Sequence, residues 1–529
     1  MRSLIRLATT TALLCGAGTS AAAQGFGGGG GNAFPVDDPI LRQMWAEGMD
    51  RSQTWTLMQV LTDSIGPRLT GSPGIRSAND WLVAMYGSYG VTARNEQYGT
   101  WRNWRRGVSH IDLMAPRVRS LEGQMLAWSP GTPRGQPITA ETILLPDSAD
   151  SAAFRAWLPN VRGKMVLVSG ALASCRPLGN IEEFALPATL ERMRQQRQAD
   201  AQAWNQRIQR TGHNAVTLPR ALEDAGAVAV VTSQWSNGWG VNKVFQARTT
   251  RVPTVELSCE DYGLVYRLTD RGQGARLRIT ADAEFGGEQP VFNTIAEIRG
   301  TEKPNEYIML SAHLDSWDGS SGATDNATGT IVMLEAIRIL RQHYPNPKRT
   351  ILVGHWNGEE QGLNGSRAFA EDHPEVVNGL HALFNQDNGT GRVVNVSASG
   401  FVGASANLAN YFARLPSQLS NNVRLGFPGS PAGGGSDHAS FVCRGAPGFS
   451  LSSLSWDYGT YTWHTNRDTF DKVIFDDVKM NATMTAMLVY LAAEDPDPMP
   501  RDRRVMPMNQ QGNPTQWPAC PDAARRSPQ

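Results

Sequence analysis

Residues 356–362, Trp-Asn-Gly-Glu-Glu-Gln-Gly, set two adjacent carboxylates, Glu359 and Glu360, directly after the apolar run Thr350–Val353. Near a core, each such charge costs on the order of several kcal/mol unless water or a cation compensates it. A bound cation together with a proton transfer would give the two acids separate jobs. Three other apolar runs end in similar loops. Tyr307–Leu310 is followed by SAHLDSWDGSSGATDNATG, carrying His313, Asp315, Asp318 and Asp325. His381–Phe384 leads to Asp387, and Gly448–Leu451 leads on to YGTYTWHTNRDT, with His464 and Asp468. Any one of these side chains is accounted for by a helix cap or by solvent. Imidazole nitrogens and carboxylate oxygens delivered from four successive strand ends form a donor set suited to a divalent metal such as zinc.

Such a rim needs a scaffold. Beyond residue 286, apolar strands alternate with amphipathic helices, the pattern of an α/β fold: a mixed, mostly parallel sheet flanked by helices, with its ligands at the carboxyl ends of the strands. Ile331–Arg341 reads as one helix, with Met333, Ala336, Ile337 and Leu340 on a common face, and Val478–Ala493 as the last. Residues 39–89 have helical spacing interrupted by the turn formers GPRLTGSPG at 66–74. From 122 to 285 short β-rich runs (Lys164–Val168, Ala227–Val231, Val252–Val255) mark a different texture, broken by an Arg-rich helical stretch that reads as a solvated face. GGEQP at 286–290 reads as a boundary.

A chain of 529 residues exceeds one simple core. Its 49 basic and 49 acidic residues give no electrostatic case for nucleic acid or an anionic membrane as partner. The first 23 residues, with Arg2 and Arg6 before a short apolar core and Ala21-Ala22-Ala23, have the pattern of a secretory signal cleaved near Ala23. The protein is therefore expected to be exported, periplasmic or extracellular, with no membrane span. A Gly-rich linker (24–34) follows, and a Pro-rich tail (496–529) is expected to be loosely ordered unless Cys520 pins it. Export permits disulfides among Cys175, Cys259, Cys443 and Cys520; Cys175 with Cys259 is preferred because both lie in the β-rich segment. No G-x-S-x-G elbow supports a serine hydrolase, and His355, His373 and His381 read as structural.

The ordered motifs HLD (313–315), GATDNATG (322–329), GEEQGLNGS (358–366), QDN (386–388), GSDH (435–438) and HTNRDT (464–469) resemble the co-catalytic di-zinc exopeptidases, the family of bacterial leucyl aminopeptidases and carboxypeptidase Q. GPRLTGS and FNTIAEIRG extend the resemblance over most of residues 55–493, and HLDSWD points toward the carboxypeptidase Q branch. The resemblance implies a zinc-exopeptidase (phosphorylase/hydrolase-like) fold in which residues 35–121 and 286–495 form the peptidase domain. Residues 122–285 would be an inserted protease-associated domain. It implies two Zn²⁺ per chain, one held by His313 and Asp387 and the other by Glu360 and His464, with Asp325 bridging. Glu359 would be the general base and Asp315 would orient His313. Tyr461 would stabilise an oxyanion, and Ser436, Asp437 and His438 would support the substrate side. Peptides are the implied substrates and a homodimer the implied assembly. The expected activity is that of an aminopeptidase or dipeptidase. The alternatives are a glutamate-type carboxypeptidase, for which Arg367, Arg392 and Arg467 are candidate carboxylate anchors, a single-zinc cyclase and a non-catalytic receptor.

Overall fold

The computed structural model describes residues 38–528; the expected signal sequence (1–23) and Gly-rich linker (24–34) lie outside them. We number the strands β1 Thr92–Ala115, β2 Arg119–Ser120, β3 Gly123–Met125, β4 Ile138–Leu144, β5 Met165–Leu167, β6 Ala229–Thr232, β7 Thr254–Leu257, β8 Arg276–Ile298, β9 Lys303–His313, β10 Arg349–Trp356, β11 Leu380–Asn385, β12 Val393–Ser397, β13 Arg424–Gly426 and β14 Gly448–Ser453. They form one 14-stranded sheet in the order β13-β12-β14-β11-β9-β10-β8-β4-β5-β6-β7-β3, with β1 paired to β8 and β2 to β1.

The run β14-β11-β9-β10 is parallel throughout. Every residue of β10 and of β11 is buried, the signature of strands covered on both faces and the reason they read as unbroken apolar runs rather than alternating ones. One face carries the helices Pro39–Asp50, Thr328–His343 and Phe475–Glu494, whose Met44, Ile337, Leu340, Met487 and Leu488 share a core with Ile308, Leu310 and Val353. The other face packs Trp356, Phe369, Leu383 and Phe441. The first helix starts where its sequence dictates: Asp38 accepts from the N–H groups of Ile40 (3.0 Å) and Leu41 (3.3 Å), and Pro39 occupies the first turn.

The long strands β1 and β8 run through both halves of the sheet. Their antiparallel ladder extends from Thr92 opposite Glu297 to Ala115 opposite Arg276, with four register shifts along it. The last residues of β8 pair with β10 and its first residues with β4, from which β4-β5-β6-β7 continues as a second parallel run. Met165, Val231, Leu257 and Ile279 fill a separate core there with Trp104 and Leu113 of β1. The GGEQP stretch expected to mark a boundary lies inside β8, which passes through it unbroken. Alternation is lost there because residues 284–290 are exposed, and exposure imitates a linker in sequence.

Cys175 is joined to Cys259, the pairing preferred from sequence, and Cys443 to Cys520. The second bridge and a series of polar contacts hold the tail against the half of the sheet that contains β9, β10 and β11. Trp517 Nε1 donates to Val442 O (2.9 Å), and Arg525 pairs with Asp372 (2.8 Å) and Glu371 (3.0 Å). Among the described residues no helix is long and apolar enough to cross a membrane.

Two buried histidines stay neutral in the fold. His355 lies 2.6 Å from the Tyr86 hydroxyl, and His381 Nδ1 accepts from Met499 N–H at 3.0 Å. Burial lowers both to about 3 from 6.5. The unfolded chain therefore binds protons below pH 6.5 that the native state refuses, and stability falls as pH drops from about 6.5 toward 3. The slope is on the order of 1.4 kcal/mol per pH unit for each histidine. His381→Gln should flatten this acid limb, as read from the melting temperature across pH; a limb of unchanged steepness would show that other groups govern it.

Candidate metal centre

The carboxyl ends of β9, β10 and β11 and the loop after β14 converge on one rim. His313 is the last residue of β9, and its Nδ1 faces the Asp315 carbonyl at 3.0 Å. That contact directs Nε2 toward Asp387 Oδ1 (3.1 Å) and Asp325 Oδ1 (3.4 Å). On the far side of Asp325, His464 Nε2 lies 3.3 Å from Asp325 Oδ2 and 2.8 Å from Glu360 Oε2. Two donor clusters result, His313–Asp325–Asp387 and Asp325–Glu360–His464, each with its ligand atoms within 4.8 Å of one another. The chain reaches Asp325 through Gly322, whose φ of +59° and tight contact with Ser316 exclude a side chain; the Asp325–Asn326 peptide is cis.

Four further groups fix these atoms. The Asp315 carboxylate is fully buried and accepts the N–H of Glu359 on Oδ1 and that of Glu360 on Oδ2, both at 3.2 Å. It lies 3.6 Å from His313 Nδ1, so one acid ties the β9 ligand to the β10 turn. Asp468 does the same for Asp325, accepting from the N–H groups of Thr324 (2.7 Å) and Asp325 (2.9 Å). Arg68, fully buried, donates to the carbonyls of Leu314 (2.7 Å), Ser321 (2.7 Å), Gly322 (2.8 Å) and Gly66 (3.0 Å), stapling the loop between His313 and Asp325. Asn326 Nδ2 reaches the Gln386 carbonyl at 2.9 Å and couples that loop to the Asp387 turn.

The acids repel one another. Burial, reinforced by Asp325, pushes Glu360 up to about 7, and burial pushes Asp468 to about 7. Glu359 is held well above the carboxylate range by burial and by Asp387, Asp437 and Glu360. Burial would also raise Asp325, but the two flanking imidazoles override it and hold it well below its ordinary value. Burial would depress His464; Glu360 and Asp325 instead keep it at about 10. Asp325 Oδ2 and Glu360 Oε1 have no hydrogen-bond partner. Unsatisfied buried carboxylate oxygens facing imidazole nitrogens form a site that cations would complete, and the mixed N/O donors suit zinc.

Asp437 and His438 are buried but fall outside both clusters, and Ser436 Oγ accepts from Asn385 Nδ2 at 2.8 Å. Burial, with Asp387 and Asp315 adding to it, raises Asp437 to about 7; burial alone lowers His438 to about 4. Tyr461 lines a cavity of about 430 Å³ that also includes Trp239, Thr324, Trp456, Tyr458 and Arg467. Of its two tyrosines, Tyr458 feels the centre: burial and then Asp325, Asp387, Asp468 and Glu360 hold its hydroxyl well above the usual range. Arg68, Asp468 and Tyr458 had no role in the sequence reading. The only signals were an arginine among the turn formers of GPRLTGS and an aspartate closing HTNRDT.

Residues 293–490 match the model of Peptidase family M28. Those residues are an M28 peptidase domain. Carboxypeptidase Q of Mus musculus is 26% identical over 458 residues, covering 86% of this chain and 88% of that protein. The Homo sapiens carboxypeptidase Q is 25% identical over the same share of both. A peptidase M28 precursor from Shewanella amazonensis superposes with a TM-score of 0.65 at 23% identity, over 87% of this chain and 97% of that one. A zinc aminopeptidase from Bacillus subtilis gives 0.52 at 18%, over 83% and 93%. The mixed α/β fold is that of these structures, and the chain is a zinc metallopeptidase of the exopeptidase type.

Asp468→Asn keeps shape but loses the second charged acceptor beneath Asp325. Zinc affinity and peptidase activity should fall about 10- to 100-fold with an unchanged circular dichroism spectrum. Full zinc affinity in the variant would mean Asp325 is held without Asp468.

Proposed function

We propose that this chain is an exported di-zinc aminopeptidase or dipeptidase acting on short peptides. The observation that carries this reading is Asp325, one carboxylate offering a different oxygen to each of two imidazole-containing donor sets. In this reading His313, Asp387 and Asp325 hold one zinc, and Glu360, His464 and Asp325 the other. Bound zinc supplies Lewis acidity, acidifying water and polarising a scissile carbonyl.

The chain's own residues supply the rest. Glu359, fixed through its N–H by Asp315 and free of ligand duty, takes the proton of the attacking water and returns it to the leaving amine. Its neighbour Glu360 faces His464 instead, so the paired acids divide the work. Asp315 and Asp468 orient the ligands. A tyrosine hydroxyl at the edge of the adjoining cavity, Tyr461 or its neighbour Tyr458, donates to the developing oxyanion.

Amine polarity is supported by the charges around the centre. Buried acids line it, and two nearby arginines, Arg68 and Arg467, are engaged elsewhere, whereas Arg392 Nε is buried without a hydrogen-bond partner. Arg68 spends its donors on backbone carbonyls, and Arg467 turns to Gly240 O (3.1 Å) and Glu122 (3.0 Å). With bound zinc offsetting the ligand acids, Asp437, buried outside both donor clusters, is the acid left to attract a free amine. The second reading, a carboxypeptidase, is favoured by the carboxypeptidase Q relatives that match over 86% of the chain. Residues 122–285 are read as the inserted protease-associated domain, and residues 1–23, outside the described structure, as the export signal.

Purified mature protein should contain two zincs and cleave an amino-acid p-nitroanilide but not an N-blocked dipeptide. Chelation should abolish activity and zinc restore it. Glu359→Gln should keep both metals and lose about 10²- to 10⁴-fold in kcat. Cleavage of the blocked peptide alone would transfer the protein to the carboxypeptidase reading, and full activity in Glu359→Gln would remove Glu359 as the base.

A further inference from the structure

His464 belongs to the peptidase half of the sheet, yet much of what surrounds its turn comes from the segment between β6 and β7. His464 has φ +56°, the left-handed region that a side chain adopts at a cost of about 1–2 kcal/mol, so its surroundings must impose it. Val244 N–H donates to the His464 carbonyl at 2.7 Å. Lys243 Nζ donates to the carbonyls of Trp463 (2.5 Å) and Gly459 (3.3 Å), and it sits 4.3 Å from the centre of the Trp463 ring. Asn242 N–H donates to Asn466 Oδ1 (2.9 Å), Asn466 N–H donates back to the Asn242 carbonyl (3.1 Å), and Ser236 Oγ donates to the Thr460 carbonyl (2.7 Å). The Phe245 ring meets the His464 imidazole edge-on at 5.2 Å, and Trp463 stacks on it at 3.9 Å. The segment is itself tied down, through Ala127 N–H to the Phe245 carbonyl (3.1 Å) and Ala247 N–H to the Ala127 carbonyl (2.8 Å).

We propose that residues 236–247 are a strap that builds one half of the metal centre from outside the M28 segment, with Lys243 as its positioning residue. Lys243 is 8% exposed, and the acceptors of its ammonium are backbone carbonyls rather than a carboxylate. A compact ammonium with three donors fits this position, because two carbonyls and an aromatic face take its three sides, where a planar guanidinium would fit poorly. The Trp463 carbonyl it holds immediately precedes His464, and the Val244 contact holds the carbonyl that follows. The two together define the turn from which Nε2 reaches Glu360 and Asp325. The strap reaches the side of His313 only through the intervening loop, where Phe245 meets the Trp317 ring at 5.6 Å, so its loss should be felt chiefly at the metal held by His464. This inference rests on the two-zinc assignment above.

The test is the pair of zinc dissociation constants, measured by graded chelator competition in the wild type, Lys243→Met, Lys243→Arg and Ser236→Ala, with circular dichroism on each. Lys243→Met should weaken one zinc by about tenfold or more and leave the other unchanged, and it should lower kcat more than it raises KM. Lys243→Arg should recover part of the loss. Ser236→Ala, which removes only the bond to the Thr460 carbonyl, should weaken the same zinc by less, and it decides the matter if Lys243→Met does not fold. Two zincs bound in the wild type with both constants unchanged in the variants, or weakened equally, would overturn the strap's role alone. A wild type that binds fewer than two zincs would overturn the two-metal reading itself.

Discussion

Asp325 lies between two imidazoles, 3.4 Å from His313 and 3.3 Å from His464, with Glu360 and Asp387 on either flank. Burying this much negative charge is the constraint that the surrounding structure answers. Each acid is desolvated, so each must have donors or cations facing it. The donors are visible: Asp315 takes two backbone N–H groups from the β10 turn, and Asp468 takes two from the turn that carries Asp325. The imidazoles supply part of the positive charge. The remaining orphan oxygens, Asp325 Oδ2 and Glu360 Oε1, point to where cations belong.

Holding such a site open against self-repulsion needs rigid supports, and the fold supplies them in two layers. Parallel strands buried on both faces fix the origins of His313, the Glu359–Glu360 turn and Asp387. His464 has no such strand beneath it. It lies beyond β14 in an irregular turn, fixed from one side by Ser320 and Thr324 and from the other by residues between β6 and β7. The continuous β1–β8 ribbon makes that possible, because it binds the two halves of the sheet through a single long ladder. A linker at residues 286–290 would leave the strap free to move relative to the turn it holds. An unbroken strand there prevents it.

What was legible in the sequence follows the same division. The strands that carry ligands were readable because double burial leaves an unmistakable apolar run, and their ends were readable because histidine and acids followed at once. The Cys175–Cys259 pairing was legible from sharing one segment. Residues 286–290 read as irregular, yet they lie within β8, because exposure and glycine look the same in a strand as in a linker. Lys243 and Arg68 were illegible for a different reason: both bind backbone carbonyls of segments distant in sequence, and a carbonyl has no residue type. Asp468 stood in plain sight, but nothing in its spacing says that it accepts from Thr324 and Asp325 rather than from solvent.

The adjacent pair Glu359–Glu360 carries the two roles proposed for one turn, base and metal ligand. Both N–H groups end on the same carboxylate of Asp315, one on each oxygen, so the two backbones are held rigidly and nearly alike. Their side chains nevertheless differ in partners: the Glu360 carboxylate meets His464, while that of Glu359 belongs to neither donor cluster. Gly358, at φ +77° and with no room for a side chain beneath the Tyr98 hydroxyl, allows the strand to turn sharply enough for both acids to enter the rim. Glu360 meets an imidazole and a shared carboxylate, which is a ligand's environment. Glu359 meets burial, opposed by His313 and reinforced by other acids, which together raise its affinity for a proton, as suits a group proposed to take one from water. The difference in role comes from what each side chain faces, since residue type and backbone support are the same for both.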